Sequence, residues 1–526
     1  MNVRLFAILL AAFALCGVPA AGQDEAAALL SKHRAFVGWA FGDGTLTNWR
    51  SVTHYQRRAV ATPSPDETPE AKPESTATRR FEVRSVRRGA QYRNTAVIGE
   101  GISEDDGFTG RVFWSSNMNG YTVTVLRDRA DKLLTENMLE DEELPKLSGE
   151  TRGTAKVRDV ETHVVRVKPQ QGVAVDLYID NDGAYRRIVL APDSDSKQTI
   201  EIDKYMEVAP GKKVVGEYHY DSSGSYVVDN FEPNVAISDD QLHPPAPRPV
   251  WSFGDGLPVP IDVVRHTAIF GETGGRAVML RASINGHEGT FLLDSGSYAC
   301  MVFGAFGDSL KLPKVGSTSF GSLMAGIVGA NIVNVDELKI GNNVLRNVLF
   351  VQTRNAVFDK FFDGIIGYDV LAGALVDVEV DGHKLRILDP TKFDASPGRN
   401  AAVFPLDLTT RHAVVQITVA NNVPGYAIVD TGNDYTLLIS DEFRRSGKLV
   451  GTGAPTGFSG VDMTNCIRPQ RIMIGPIPFE NGLTCFVSPR LFGHDGALLG
   501  FDFLRHFNWT FDYPHARLIL TPNGIK

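Results

Sequence analysis

Short runs of alternating apolar and polar residues dominate this chain. Examples are Phe81-Glu82-Val83-Arg84-Ser85-Val86, Thr122-Val123-Thr124-Val125-Leu126, His163-Val164-Val165-Arg166-Val167 and Val173-Ala174-Val175-Asp176-Leu177-Tyr178-Ile179. Successive strand side chains point to opposite faces, so each run predicts a half-buried antiparallel strand. Two stretches break the pattern. Residues 26–41 place apolar residues at helical spacing, and residues 133–139, followed by acids, predict a short helix covering the sheet. A segment rich in Pro, Glu and Thr at 62–78 predicts a surface loop.

The second half of the chain holds a pattern that occurs twice. Ala277-Val278-Met279-Leu280-Arg281-Ala282-Ser283-Ile284 and Ala413-Val414-Val415-Gln416-Ile417-Thr418-Val419 each predict a strand entering a hairpin. Each leads to an apolar run ending in a small tripeptide: Phe291-Leu292-Leu293-Asp294-Ser295-Gly296-Ser297, then Ala427-Ile428-Val429-Asp430-Thr431-Gly432-Asn433. About 70 residues after each acid comes a second matched element, Gly364-Ile365-Ile366-Gly367-Tyr368-Asp369 and Ala497-Leu498-Leu499-Gly500-Phe501-Asp502, followed by another strand. An Asp-Ser/Thr-Gly tripeptide alone is weak. Matched features in the same order make an internal repeat.

This pattern resembles the aspartic peptidases of the pepsin and retropepsin-like clan, especially its small bacterial retropepsin-like branch, over roughly residues 265–526. The resemblance implies a two-lobed β fold in which Asp294 and Asp430 form the catalytic dyad. Gly296 and Gly432 would allow the sharp turn and close approach, and the Ser295 and Thr431 hydroxyls would bond across to the opposite loop. Ser297 is expected to brace Asp294. Asn433 departs from the family's usual residue, with an amide placed to donate to Asp430. Gly367 and Gly500 would mark the psi-shaped loops behind the acids. The glycine-rich stretch holding Gly321, Gly326 and Gly329 is the flap candidate of the first lobe, and residues 451–460 are its counterpart. No tyrosine stands where a pepsin flap carries one, so the flap is more retropepsin-like.

Two nearby carboxyls can perform peptide hydrolysis because like charges that close share one proton. The ionised member takes a proton from water and the protonated member donates to the substrate carbonyl. Asp363, Asp369 and Asp502 beside the psi segments read as turn-bonding residues rather than catalysts. The chain lacks a Gly-x-Ser-x-Gly elbow and a His-Glu-x-x-His helix, which argues against serine-hydrolase and zinc-peptidase chemistry. No metal and no cofactor is expected.

In the first half, Asp176-Leu177-Tyr178-Ile179-Asp180-Asn181-Asp182-Gly183, the strand Gln198-Thr199-Ile200-Glu201-Ile202-Asp203 and residues 231–239 resemble the lipoprotein-sorting (LolA-like) fold. That likeness implies a curved antiparallel sheet with helices, and an apolar or lipid ligand on its concave side. Six prolines crowd residues 241–260, predicting an extended linker.

Arg4, the apolar run 5–15 and the small residues Ala20, Ala21 and Gly22 read as a secretory signal peptide. The expected organisation is therefore signal peptide 1–22, LolA-like β domain 23–240, linker 241–260, and peptidase lobes 261–395 and 396–526. The whole is mainly β with an α+β first half. Export to the periplasm or outside the cell follows. No later stretch approaches transmembrane length. The 53 basic and 62 acidic residues are dispersed, giving a net charge of -9 and no sign of a nucleic-acid partner. Of the cysteines left after signal cleavage, Cys300 reads as a buried thiol, while Cys466 and Cys485 are a candidate disulfide worth roughly 3 kcal/mol. The function expected is aspartic endopeptidase on a polypeptide substrate, acting as a monomer because both acids lie on one chain. The alternative is a non-catalytic protein that binds peptide, lipid or lipoprotein and keeps the peptidase fold. Retention of both acids, both hydroxyls and both glycines favours the enzyme.

Overall fold

The structure is a computed structural model. It describes residues 21–524 apart from 41, 57–79, 195–196, 221–223, 266–275, 323–325, 355–357, 420–422, 434–435, 439–464, 468–471, 480–483 and 487–496. The expected signal peptide, the Pro/Glu/Thr-rich loop and the second flap candidate therefore fall largely or wholly outside the described residues. The chain is mainly β, as the alternating patterns require. It divides into two compact units. The first holds residues up to Trp49, His54–Arg80 and Ala130–Val235, and the second holds Arg50–Thr53, Phe81–Arg129 and Ala236–Lys526.

In the first unit, seven strands from Gly149–Val157 to Ser225–Pro233 pair antiparallel with their chain neighbours. Inward-facing Val165, Val167, Leu177, Ile179, Ile188, Ile200 and Ile202 form its core with Ala26 and Leu30, one helical turn apart on Ala21–Val37. That helix stops before Gly38, whose positive φ of 76° suits the left-handed position that ends a helix.

The second unit contains the sequence repeat. In lobe 1 the strand His287–Leu293 leads to Asp294 and lies parallel to the psi strand Gly364–Ile366, with Leu293 opposite Ile366. In lobe 2 Val423–Val429 lies parallel to Ala497–Leu499, with Val429 opposite Leu499. Each psi strand is also flanked antiparallel by the strand leaving the turn, Met301–Phe303 or Thr436–Leu438. Both psi strands are buried on every side, so both are wholly apolar after their first residue.

A six-stranded sheet joins the lobes. Lobe 1 supplies Val259–Arg265, Lys384–Leu388 and Leu375–Glu379, and lobe 2 continues with Phe507–Asp512, Arg517–Pro522 and Ala402–Pro405. At the seam Val376 faces Phe511, Asp377 faces Thr510 and Val378 faces Trp509, so equivalent strands meet about a local twofold. Burial of Trp509 and Phe511 makes the seam part of one continuous core rather than a wet contact between domains.

Two parts of the first half and the linker also belong to this unit. Strands within Phe81–Arg129 form an antiparallel ladder, and Gly99 pairs with Gly316 at the base of the lobe 1 hairpin. The proline-rich segment carries Val250–Ser252, which pairs with Asn343–Thr353. The sequence boundary at 241–260 thus differs from the division of contacts. Proline density marks extended backbone, but extended backbone can still take a sheet edge.

Candidate functional site

Asp294 and Asp430 sit at the ends of the two equivalent strands, and the backbone N–H of each donates to a psi-strand carbonyl, Ile366 at 3.0 Å and Leu499 at 2.9 Å. Each tripeptide then turns so that the glycine N–H reaches back to its own aspartate. Gly296 N–H lies 2.8 Å from Asp294 Oδ1 and Gly432 N–H 3.0 Å from Asp430 Oδ1. A Cβ on Gly296 would stand 2.4 Å from the Asp430 carboxyl carbon, and one on Gly432 would stand 2.5 Å from that of Asp294. The missing side chain of each lobe is the space that the other lobe's carboxyl occupies.

The hydroxyls lock the two turns together. Ser295 Oγ donates to Val429 O at 2.7 Å and accepts the Thr431 N–H at 3.1 Å. Thr431 Oγ1 donates to Leu293 O at 2.8 Å and accepts the Ser295 N–H at 2.9 Å. Both residues are buried, so removing either hydroxyl strands a donor and an acceptor, at a net cost of about 1–3 kcal/mol after local relaxation.

The two carboxyls are hydrogen-bonded to one another. Burial pushes both above the usual carboxylate range, and Asp430 further, because the charge on Asp294 and the shared hydrogen bond both oppose its ionisation. Asp294 is the more solvent-accessible of the two. The favoured arrangement is a single proton shared by the pair. Beneath them lies Tyr513, whose phenol is pushed well above its ordinary range by burial, by Tyr368 and by the two carboxyls, so it stays neutral. Its ring centroid is 5.9 Å from that of Tyr368, which lies 6.3 Å from that of Tyr121.

The three other acids named from the sequence all make structural bonds. Asp363 accepts the Thr290 N–H at 2.8 Å, Asp502 pairs with Arg505 at 3.3 Å, and Asp369 is fully buried behind the Asp294 turn. Asp369 accepts from Asn117, Asn119 and the Cys300 N–H. Burial pushes its carboxyl up to about 6, against those donors and the charge of Arg411. Asn117 and Asn119 are about 250 residues from Asp369. Nothing local in Asn117-Met118-Asn119-Gly120 distinguishes them from ordinary turn residues.

Other expected residues fall as follows. Ser297 does not direct its hydroxyl to Asp294: the Oγ donates to Ala299 O at 2.8 Å, because the chain curls there, while its backbone N–H faces the aspartate. The backbone N–H of Asn433 lies 3.3 Å from Asp430 O. Gly367 and Gly500 follow the psi strands and precede short helices. Gly321, Gly326 and Gly329 lie on the two arms of a hairpin, Lys314–Ser322 and Gly326–Ile340, whose tip is outside the described residues. Cys466 and Cys485 face each other in antiparallel register, although their side chains are not among those described. Cys300 is a buried free thiol. Among the described residues no His, Cys, Asp and Glu side chains group to hold a metal ion, and no helix is long and apolar enough to cross a membrane.

The family model for aspartyl protease matches residues 280–370, which contain the first Asp-Ser-Gly turn and the first psi segment. The chain thus carries an aspartyl protease-like domain. No curated protein matches it. A crystal structure of a DUF1329 family protein from Desulfovibrio piger is similar over 42% of this chain and 97% of that one, at 10% identity and a TM-score of 0.30. A likeness at that level carries no weight here.

Proposed function

We propose that the protein is an exported aspartic endopeptidase whose catalytic pair is Asp294 and Asp430. The observation that carries this is the hydrogen-bonded pair of carboxyls, one from each lobe, held by reciprocal Ser295 and Thr431 bonds. A structural ion pair would match a carboxylate with a cation. Two carboxyls brought together on purpose cost stability, and pairs of that kind cluster at functional sites.

The chemistry follows from the shared proton. Water between the carboxyls loses a proton to Asp294 as its oxygen bonds the peptide carbonyl carbon, while Asp430 gives its proton to the carbonyl oxygen. The tetrahedral diol then breaks its C–N bond. Asp294 returns its proton to the leaving nitrogen, and a diol hydroxyl returns one to Asp430 as the new carboxyl forms. Two protons move in and two move out, leaving the pair as it began. An extended substrate backbone would pair with the hairpin Lys314–Ser322 and Gly326–Ile340, which fits an unfolded or loop segment of polypeptide. Export rests on the N-terminal sequence alone.

The test is digestion of an unbiased peptide library by the mature protein between about pH 3 and 8, with products identified by mass. New termini that share a sequence preference support the reading. Folded protein that binds library peptides without cutting any would favour the non-catalytic alternative.

A further inference from the structure

Asp369 is fully buried, has no cation in direct contact among the described residues, and is not a member of the dyad. Three N–H groups converge on it. Asn117 Nδ2 and Asn119 Nδ2 donate to Oδ1 at 2.9 and 2.8 Å, and the Cys300 backbone N–H donates to Oδ2 at 2.8 Å. The amide orientations are fixed by their other ends. Asn117 Oδ1 accepts the N–H groups of Asn119 and Tyr121, and Asn119 Oδ1 accepts that of Leu349, so nitrogen must face Asp369 in both. A carboxylate satisfies all three donors. A protonated carboxyl fits them less well, because its oxygens accept more weakly and its added O–H needs an acceptor where three donors converge.

That choice is connected to Asp294 by a short ladder. The segment leaving the active-site turn and the segment leaving the psi strand are joined by Asp294 N–H to Ile366 O at 3.0 Å and by Tyr368 N–H to Ser297 O at 3.0 Å. The next rung is Cys300 N–H to Asp369. Gly367 fits between them so closely that a Cβ would stand 2.5 Å from Ala299 O. Losing the Asp369 rung frees the end of the ladder that sets where Asp294 points.

We infer that Asp369, clamped by Asn117 and Asn119, is a positioning residue of the dyad: as a carboxylate it holds the Asp294 turn, and its protonation releases that turn. This rests on the reading of Asp294 and Asp430 as catalytic. Around Asp369 stand Arg411, which favours the charged form, the phenols of Tyr121, Tyr298 and Tyr368, and the Cys300 thiol. Those phenols and the thiol are all pushed upward and stay neutral. Glu104, which shares Arg411 and Tyr298 with this cluster, is also raised by burial, so the Cys300 amide, bonded directly to Asp369, is the readout that singles Asp369 out. Peptidase activity should accordingly lose kcat below about pH 6, with KM little altered, as the turn is released.

The test labels the full-length protein with [15N]cysteine, which the four cysteines of the sequence make spectrally sparse, and assigns the Cys300 amide with Cys300→Ser. The amide resonance should titrate with a midpoint near 6. In Asn119→Ala the midpoint should rise by about one pH unit, and the acid limb of kcat should rise with it. Asp369→Asn, which keeps the shape, should abolish the amide titration and serves if Asn119→Ala does not fold. An amide that does not titrate in wild type overturns the proposal. So does an amide midpoint that moves while the acid limb stays, which would leave Asp369 a purely structural residue. Wild type that cleaves nothing would overturn the dyad reading and this role with it, an outcome told apart because the amide is read without substrate.

Discussion

Asp369 and Asp502 occupy equivalent places, each two residues past a psi-loop glycine, yet the two lobes treat them differently. Asp369 is sealed from solvent and held by asparagines from a distant part of the chain. Asp502 is partly exposed and pairs with Arg505, the residue that caps the end of its own short helix. The seam shows the same inequality, with Val376 and Val378 in lobe 1 matched by Trp509 and Phe511 in lobe 2. A duplicated backbone needs the same turns in both copies, while the packing behind the turns is free to diverge. Here lobe 1 has taken outside support for its aspartate, and lobe 2 brings bulk to the shared core.

Cutting Trp509 to Ala should break the comparison most severely. It removes a fully buried aromatic at the seam and should cost about 3–5 kcal/mol, read as a fall in the unfolding midpoint, whereas Val376→Ala at the equivalent position should cost clearly less. Equal losses would mean that the bulk is not where the stability lies. The next largest effect concerns pH. Asp369 has its folded-state carboxyl raised to about 6, above its ordinary 3.8, so the folded chain binds the extra proton between those values. The contribution of Asp369 to stability is then fullest below about pH 4 and is lost as pH rises through 6, on the order of 3 kcal/mol in all. Asp369→Asn should flatten that slope.

These contrasts also mark how far sequence alone reaches. The two Asp-Ser/Thr-Gly turns and the two apolar psi segments are legible because each requirement is local: a buried strand, a glycine without room for a side chain, a hydroxyl beside an acid. The Asn117 and Asn119 clamp is not legible, since its partner is far along the chain and its own residues look like any hairpin turn. The membership of Phe81–Arg129 in the second unit is hidden for a related reason. Alternation predicts that a strand exists but not which sheet it joins. Ser297 shows a finer limit, because a hydroxyl next to an aspartate has several acceptors within reach and only the backbone path selects Ala299 O.

Two smaller effects sharpen the comparison. Ser295→Ala should destabilise the protein by about 1–3 kcal/mol and lower kcat, and Thr431→Val should do so to a similar degree, because the interlobe bonds are reciprocal. A large inequality between them would show that one lobe alone sets the turns. Arg505→Ala should change the unfolding midpoint by less than the equivalent of about 1 kcal/mol, as expected for a partly exposed pair in lobe 2.

The most direct measurement is kcat on a cleaved peptide for Asp294→Asn, Asp430→Asn and the double variant, all verified as folded. If the two carboxyls share one proton and act as one unit, each single change removes nearly all activity, by a factor on the order of 10³ or more, and the double change is scarcely worse than either. Losses that multiply in the double variant, or a single variant that keeps most of its activity, would contradict the account.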